Sequence, residues 1–121
     1  MKRVLGLGNA LTDILLQVSE GDLREIGVPK GSMNLIDAEQ LERIQARFIS
    51  VRKHLVAGGS ASNTVTTIAQ LGGKAAFIGK IGNDEVGKFY RDDLIKNNVK
   101  PILLTSSLMS GCCIVLITPD G

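Results

Sequence analysis

Aromatic residues are scarce in this sequence, and neither sign of charge is in large excess. Its 121 residues include no tryptophan, three phenylalanines and one tyrosine, and 14 basic against 12 acidic residues leave a net charge of +2. Proteins that bind single-stranded nucleic acids stack bases on aromatic side chains and follow the backbone with a basic groove. The sequence offers neither feature, so we expect no nucleic-acid partner and a core built mainly from aliphatic side chains.

Long apolar runs and separated cysteines are missing as well. Apolar stretches such as residues 112–117 are far too short to cross a bilayer, and Asp13 interrupts the apolar run behind the basic N-terminus. We therefore expect no membrane partner and no signal peptide. Cys112 and Cys113 are adjacent, a spacing that strains a mutual disulfide. A reducing cytoplasm is the expected location.

The sequence does contain a succession of short apolar runs separated by glycine-rich turns. Strands are predicted at 4–8, 11–18, 33–36, 54–56, 75–81, 101–104 and 112–118, and helices at 38–48, from 60 or 62 to 71, and from 84 to about 97. The polar residues 19–22 are interpreted as a bend and a loop. The alternation of strand and helix from 54 to 104 is typical of parallel βαβ units. The segments 11–36 and 107–121 carry strands without helices and suit a small separate sheet.

Local signals predict where these helices begin and end. Asp37 is followed three residues later by Gln40, as in a capping box. Ser60 or Ser62 is the expected N-cap of the next helix. The glycine pair that starts at Gly72 would end that helix in a left-handed conformation.

A glycine pair before this second helix is the first candidate for ligand binding. Gly58 and Gly59 allow close backbone approach to a ligand, and the helix start adds unpaired N–H donors. Ser60 and Asn63 supply polar groups that suit a neutral, hydroxyl-rich molecule. The alternative is a tight turn whose serines and asparagine only cap the helix. The segment is no Walker phosphate loop, because the Gly-Lys-Ser/Thr end of that motif is absent.

A second polar pair follows the first predicted strand. Asn9 and Asp13 stand in an otherwise apolar segment, and a carboxylate in such surroundings requires a polar partner. The carboxylate could accept hydrogen bonds from two neighbouring hydroxyls of a ribose-like ring. The alternative is an Asx turn at the strand exit. Gly6 and Gly8 also match part of a dinucleotide-binding fingerprint, but Leu11 replaces the third glycine and no helix is predicted there.

Taken together, these motifs resemble a known family of kinases. Residues 58–64 (GGSASNT), 69–72 (AQLG) and 78–87 (IGKIGNDEVG) are similar, in order and spacing, to the first signature of the ribokinase-like (PfkB-type) carbohydrate and nucleoside kinases. Residues 8–13 and 118–121 are similar to the family as well. The resemblance therefore covers essentially the whole chain.

The resemblance implies an α/β fold, with a large three-layer αβα domain and a small β-sheet lid. Residues 1–121 would be the N-terminal part of that kinase domain, with lid strands in 11–36 and 107–121 and the remainder in the core. Lid sheets in this family can pair between subunits, which makes a homodimer plausible. The final Pro-Asp-Gly resembles a hairpin turn without its second strand, so we expect a piece of a longer polypeptide.

The resemblance also implies a reaction, the transfer of the γ-phosphoryl group of ATP, with Mg²⁺, to a hydroxymethyl group of a sugar or nucleoside. The implied acceptor-binding residues are Asn9, Asp13, Gly58, Gly59, Ser60 and Asn63. The catalytic base is expected beyond Gly121, so no catalytic or metal-binding residue is assigned, the ATP-binding residues are unknown, and the 121 residues alone should be inactive.

Two questions remain open at the level of sequence. Residues 58–63 read GGSASN, which is closer to adenosine-kinase-like members than to the GGKGAN of ribokinase-type members. This difference favours a neutral acceptor with a larger aglycone. The alternative functions are a non-catalytic sugar-binding or interaction fragment and, with less support, a dinucleotide-binding domain.

Overall fold

The computed structural model describes residues 2–121, and the chain divides into two compact units. Unit 1 comprises residues 1–14 and 55–113, and unit 2 comprises residues 15–54 and 114–121. The elements are β1 (Arg3–Leu7), β2 (Thr12–Gln17), α1 (Glu20–Ile26), α2 (Ala38–Arg47), β3 (His54–Ala57), α3 (Ser60–Gln70), β4 (Lys74–Gly82), α4 (Glu85–Lys96), β5 (Val99–Ser106) and β6 (Cys112–Ile117). The strands form two three-stranded sheets, in the orders β1-β4-β5 and β3-β2-β6.

Unit 1 is built on the parallel sheet β1-β4-β5. Arg3 pairs with Lys74, and Ala75 pairs with Val99, so all three strands start at the same edge. Helix α3 packs on β1 and β4, and α4 packs on β4 and β5. The core between helices and sheet consists of Ala10, Val65, Ala69, Ala75, Phe77, Ile81, Tyr90, Leu94 and Val99. The expected aliphatic core is therefore only partly right, because two of the four aromatic residues lie at its centre.

The other face of this sheet is apolar and exposed. Side chains alternate between the two faces of a strand, so Leu5 and Leu7 of β1 point away from α3, together with Ile102 and Leu104 of β5. Leu7 is 74% exposed and Leu104 is 63% exposed. Within residues 2–121, helices cover only one face of the sheet.

Unit 2 contains α1 and α2, and each begins with a capping box. Ser19 and Asp22 exchange hydrogen bonds at the start of α1, and Asp37 and Gln40 do so at the start of α2. The predicted box at Asp37 is therefore confirmed. The polar residues 19–22 form the cap and first turn of α1 rather than the predicted loop. The polarity that indicated a loop is the same polarity that satisfies the free N–H groups of a helix start.

Ion pairs connect the segments of unit 2. Arg47 near the end of α2 pairs with Asp22 (3.2 Å) and with Glu25 of α1. Lys30 lies 2.6 Å from carboxylate oxygens of both Glu20 and Asp120. The first group joins the two helices, and the second joins the α1–α2 connection to the turn that follows β6.

The predicted strand at 33–36 is wrong. The segment belongs to no sheet, and the side chains of Met33 and Leu35 are almost fully exposed. Three apolar residues interrupted by Asn34 are too short a segment to separate a strand from an exposed connection.

The sheet to which β3 belongs and the residue that caps α3 also differ from expectation. The unit β4-α4-β5 is parallel as predicted, but β3 belongs to the second sheet and β1 takes the expected place beside β4. Helix α3 is capped by Gly59, without a side-chain hydrogen bond, and not by Ser60 or Ser62. Gly72 follows the helix with φ of +87°, which confirms the predicted left-handed end.

Candidate functional site

The turn between β3 and α3 lies against the segment that follows β1. Gly59 has φ of +93°, and a Cβ at this position would lie 2.6 Å from the carbonyl oxygen of Asn9. The backbone N–H of Gly58 donates a hydrogen bond of 2.7 Å to the carbonyl oxygen of Leu11. Glycine is required at position 59 because both its conformation and its space exclude a side chain.

Asp13 brings a carboxylate to the same turn. A Cβ at Gly58 would lie 3.6 Å from Asp13 Oδ2, so the carboxylate is in contact distance of the turn. The Asp13 side chain is half-buried. Within residues 2–121 it forms no ion pair with a basic side chain. The described residues therefore leave this carboxylate beside the turn without a cationic partner.

Ser60 and Asn63 occupy the first turn of α3, and both are exposed. The backbone N–H of Asn63 donates to the carbonyl oxygen of Gly59 (2.9 Å), which closes the first turn of the helix. The structure therefore brings Asn9 and Asp13 to the glycine pair and puts Ser60 and Asn63 on the helix that begins there.

Tyr90 supports this turn from the core, a role that the sequence analysis missed. Its hydroxyl donates a hydrogen bond of 3.0 Å to the carbonyl oxygen of Gly58. Burial raises the pKa of Tyr90, a hydrogen bond with Ser62 opposes the shift, and the charge of Asp93 adds to it. The phenol therefore stays protonated and available as a donor. A lone tyrosine on the inner face of α4 was the signal that could have indicated a buried polar contact.

A small cavity opens beside the turn. Its volume is about 220 Å³, and it is lined by Gly8, Asn9, Ala10, Leu11, Lys80 and Gly111. This is below the roughly 300–1,000 Å³ of pockets for drug-sized ligands, so the cavity suits a small molecule or one part of a larger molecule. Of the six predicted binding residues, Asn9 alone is in this lining, and Asp13, Gly58, Gly59, Ser60 and Asn63 are not. Lys80 and Gly111 line the cavity and were not predicted from the sequence.

Cys113 is also close to Asp13. It lies on β6, the neighbour of β2 in the second sheet. Burial raises the pKa of the Cys113 thiol, and the negative charge of Asp13 raises it further. The thiol is consequently kept in its protonated form beside the carboxylate.

The glycines of the dinucleotide-like motif have a packing explanation. A Cβ at Gly6 would lie 2.7 Å from Val65 Cγ1, and one at Gly8 would lie 2.9 Å from the Cβ of Ala61. Both glycines thus allow α3 to approach β1. Residues 8–11 form neither helix nor strand, so the helix that a dinucleotide fold needs after these glycines is replaced by the entry to β2.

A group of hydrogen bonds surrounds Asp84, the N-cap of α4. Its carboxylate accepts bonds from the backbone N–H of Gly87 (2.8 Å), from the N–H of Ser110 (2.8 Å) and from the hydroxyl of Ser110 (2.7 Å). Burial acts to raise the pKa of Asp84, but these hydrogen bonds outweigh it and hold the pKa below its ordinary value. The carboxylate is therefore ionised at neutral pH.

Across residues 2–121, no group of three or more histidine, cysteine, aspartate or glutamate side chains is arranged to hold a metal ion. Over the same residues, no helix has the length and apolar character needed to span a membrane.

Comparison with known proteins gives consistent similarities. The family model described as pfkB family carbohydrate kinase matches residues 31–121. The chain is 37% identical over 105 residues to probable fructokinase-2 of Arabidopsis thaliana, which covers 85% of this chain and 32% of that protein. It is 38% identical over 66 residues to aminoimidazole riboside kinase of Salmonella typhimurium, which covers 53% of this chain and 21% of that protein.

A solved structure shares the fold over nearly the whole chain. The crystal structure of adenosine kinase from Sinorhizobium meliloti is 34% identical, with a TM-score of 0.77, over 98% of this chain and 36% of that one. The α/β fold of this chain is therefore the ribokinase-like fold that the sequence indicated. The chain spans about a third or less of the lengths of these relatives.

Proposed function

Because this chain belongs to the pfkB family of carbohydrate kinases, we propose that it forms the acceptor-binding part of an ATP-dependent kinase for sugars or nucleosides. The observation that carries the proposal is the position of Asp13 and Asn9 against the Gly58-Gly59 turn. A carboxylate, a close backbone approach and a helix start then face one small polar molecule. The complete protein would transfer the γ-phosphoryl group to a hydroxymethyl group of that molecule.

The proposed roles follow from the chemistry of each group. Asp13 accepts hydrogen bonds from two neighbouring hydroxyls of the acceptor, and the glycine pair lets the sugar ring approach the backbone. Ser60 and Asn63 add neutral hydrogen bonds from the first turn of α3. Phosphoryl transfer depends almost wholly on positioning and charge stabilisation, so residues that fix the acceptor hydroxyl contribute directly to its rate.

ATP and Mg²⁺ are parts of the proposal that residues 2–121 do not supply. The described residues hold no cluster of metal-binding side chains, so they do not fit the metal and no step is assigned to it. We propose that the catalytic base and the groups that hold ATP and Mg²⁺ lie in the rest of the protein. A cytoplasmic location and a homodimer through lid strands in 11–36 and 107–121 belong to the same proposal.

A nucleoside is the favoured acceptor. The segment GGSASN at 58–63 carries no lysine, and a neutral turn suits a neutral ribose with an aglycone. The relatives include kinases named for a riboside and for fructose, and a solved adenosine kinase shares the fold. A panel of adenosine, aminoimidazole riboside, ribose and fructose therefore separates the nucleoside proposal from the sugar alternative.

The experiment uses the complete protein with ATP and Mg²⁺. ADP release is measured with each member of the panel, and acceptor binding is measured separately by calorimetry. We expect turnover with at least one member and the highest kcat/KM with a nucleoside. Binding of an acceptor without turnover would support the non-catalytic alternative. A folded protein that shows no binding and no turnover with any member of the panel would reject the proposal.

A further inference from the structure

The hydrogen bonds of Asp84 reach further than helix capping requires. Its Oδ1 atom accepts from the N–H of Gly87, which is the ordinary N-cap bond of α4. Its Oδ2 atom accepts from the N–H of Ser110, and the hydroxyl of Ser110 donates back to Oδ1. The Ser110 oxygen in turn accepts from the N–H of Gly82 (2.9 Å). These bonds, which we call the Asp84–Ser110 clamp, join the β4–α4 turn to the loop before β6.

The packing around the clamp leaves no spare space. A Cβ at Gly82 would lie 2.5 Å from the carbonyl oxygen of Leu108 and 2.7 Å from Asp84 Oδ2. A Cβ at Gly87 would lie 2.8 Å from Ser110 Oγ. Ser110 itself is 4% exposed. The two glycines thus allow the loop before β6 to approach the β4–α4 turn. The shape of the turn by itself would not require this close approach of the loop.

The clamp leads directly to the candidate site through the next residue. Gly111 lines the cavity together with Asn9 and Leu11, and a Cβ on Gly111 would lie 3.1 Å from Leu11 Cδ2. Its carbonyl oxygen accepts a hydrogen bond of 3.1 Å from the N–H of Thr12. Gly111 is therefore held by Ser110 on one side and contacts the backbone between Asn9 and Asp13 on the other.

We propose that Asp84 and Ser110 are positioning residues for the acceptor. They fix Gly111, and Gly111 sets the backbone of residues 10–12, which determines the separation of Asn9 and Asp13. Asp84 and Ser110 act through Gly111, so their effect should fall on use of the acceptor and not on the KM for ATP. This inference rests on the proposed function, since it assigns a specific effect to the same site.

The test replaces Ser110 in the complete protein and leaves the N-cap bond of Asp84 to Gly87 in place. Ser110→Ala removes the hydroxyl that joins Asp84 to Gly82. We expect kcat/KM for the acceptor to fall about 10- to 100-fold, as for a small displacement of binding groups, with the KM for ATP within about twofold. Ser107→Ala, in the same loop but exposed, is the matched control and should resemble the wild type.

A second measurement reports on the clamp without activity. Hydrogen exchange of the peptide that contains Thr12 should be faster in Ser110→Ala than in Ser107→Ala, because the Thr12 N–H bonds to Gly111. An active Ser110→Ala protein with an unchanged acceptor kcat/KM, or with a KM for ATP that rises by a similar factor, would overturn the inference and leave the proposed function intact. Unchanged exchange would overturn it as well. A wild-type protein without turnover would reject the proposed function, and the inference with it.

Discussion

Asp13 presents a half-buried carboxylate beside Gly58, and no basic side chain among residues 2–121 neutralises it. Replacement by alanine removes two hydrogen bonds to a charged group, each worth about 1.5–3 kcal/mol. We expect Asp13→Ala to lower kcat/KM for the acceptor by roughly 100-fold or more. Asn63→Ala serves as the comparison, because it removes a neutral amide and should lower kcat/KM for the acceptor by less. Steady-state kinetics at saturating ATP measure both, and unchanged constants in Asp13→Ala would refute its role.

Thr12 shows the opposite situation, a polar atom whose removal should be favourable. Its side chain is fully buried, and its Oγ1 atom has no hydrogen-bond partner in the described part of the chain. Thr12→Val keeps the shape and removes the unsatisfied hydroxyl, so we expect the free energy of unfolding to rise by about 1 kcal/mol. Thr12→Ser keeps the hydroxyl but loses a methyl group, so it should lower the free energy of unfolding. Chemical denaturation compares the variants, and a less stable valine variant would contradict the expectation.

At the scale of secondary-structure elements, Tyr90 connects α4 to the turn that starts α3. Tyr90→Phe preserves the ring that packs against Phe77 but leaves the buried Gly58 carbonyl without its donor. We expect a loss of about 1–3 kcal/mol of stability and a higher acceptor KM. Denaturation and acceptor titration measure the two effects. A phenylalanine variant with wild-type stability would show that the hydroxyl contributes nothing to the turn.

The elements that the sequence predicted correctly are those with strong local signals. Helix α2 has its capping box and α4 has its N-cap aspartate, and both lie close to the predicted limits. Helix α1 was missed because its cap residues resemble a loop, and β3 was put in the wrong sheet because a strand of four residues carries no sign of its partner. Sheet order depends on contacts between distant segments, which local patterns do not contain.

The residues of the candidate site also differ in whether the local sequence indicates them. Asp13 and the glycine pair could be singled out from the sequence because a carboxylate in an apolar run and Gly-Gly before a helix are unusual in themselves, and their binding role stays a prediction. Tyr90 and Ser110 could not, because their hydrogen bonds join residues 32 and 26 positions apart in sequence. Nothing near either residue in the sequence indicates such a partner.

At the scale of the whole molecule, ionised carboxylates should make the fold sensitive to acid. Hydrogen bonds from Lys30 and then Thr118 lower the pKa of Asp120 to about 2 from an ordinary value of 3.8. The hydrogen bonds of Ser19, followed by those of Arg47, lower the pKa of Asp22, although burial opposes them. A carboxyl group whose pKa is lowered by folding stabilises the fold above its unfolded pKa and loses this effect as pH falls.

We therefore expect the stability of the protein to fall between about pH 4 and pH 2. Lys30→Met removes the cation that faces Asp120 and Glu20, so its stability should depend less on pH in this range. The midpoint of urea denaturation, measured at several pH values, tests this expectation. Lys96→Met, which removes an exposed lysine at the end of α4, is the control. Equal pH dependence in the wild type and in Lys30→Met would contradict the assignment.

The hydrogen bond between Thr12 and Gly111 has a consequence for biosynthesis, because it joins residues from opposite ends of this segment. Before the ribosome has added residue 111, Asp13 and the glycine turn are already synthesised. The backbone of residues 10–12, between Asn9 and Asp13, still lacks its hydrogen bond to Gly111. Late contacts of this kind are slow to form and leave neighbouring strand edges open to wrong pairing in the meantime. A nascent chain stalled in the loop before β6 would thus be prone to aggregation.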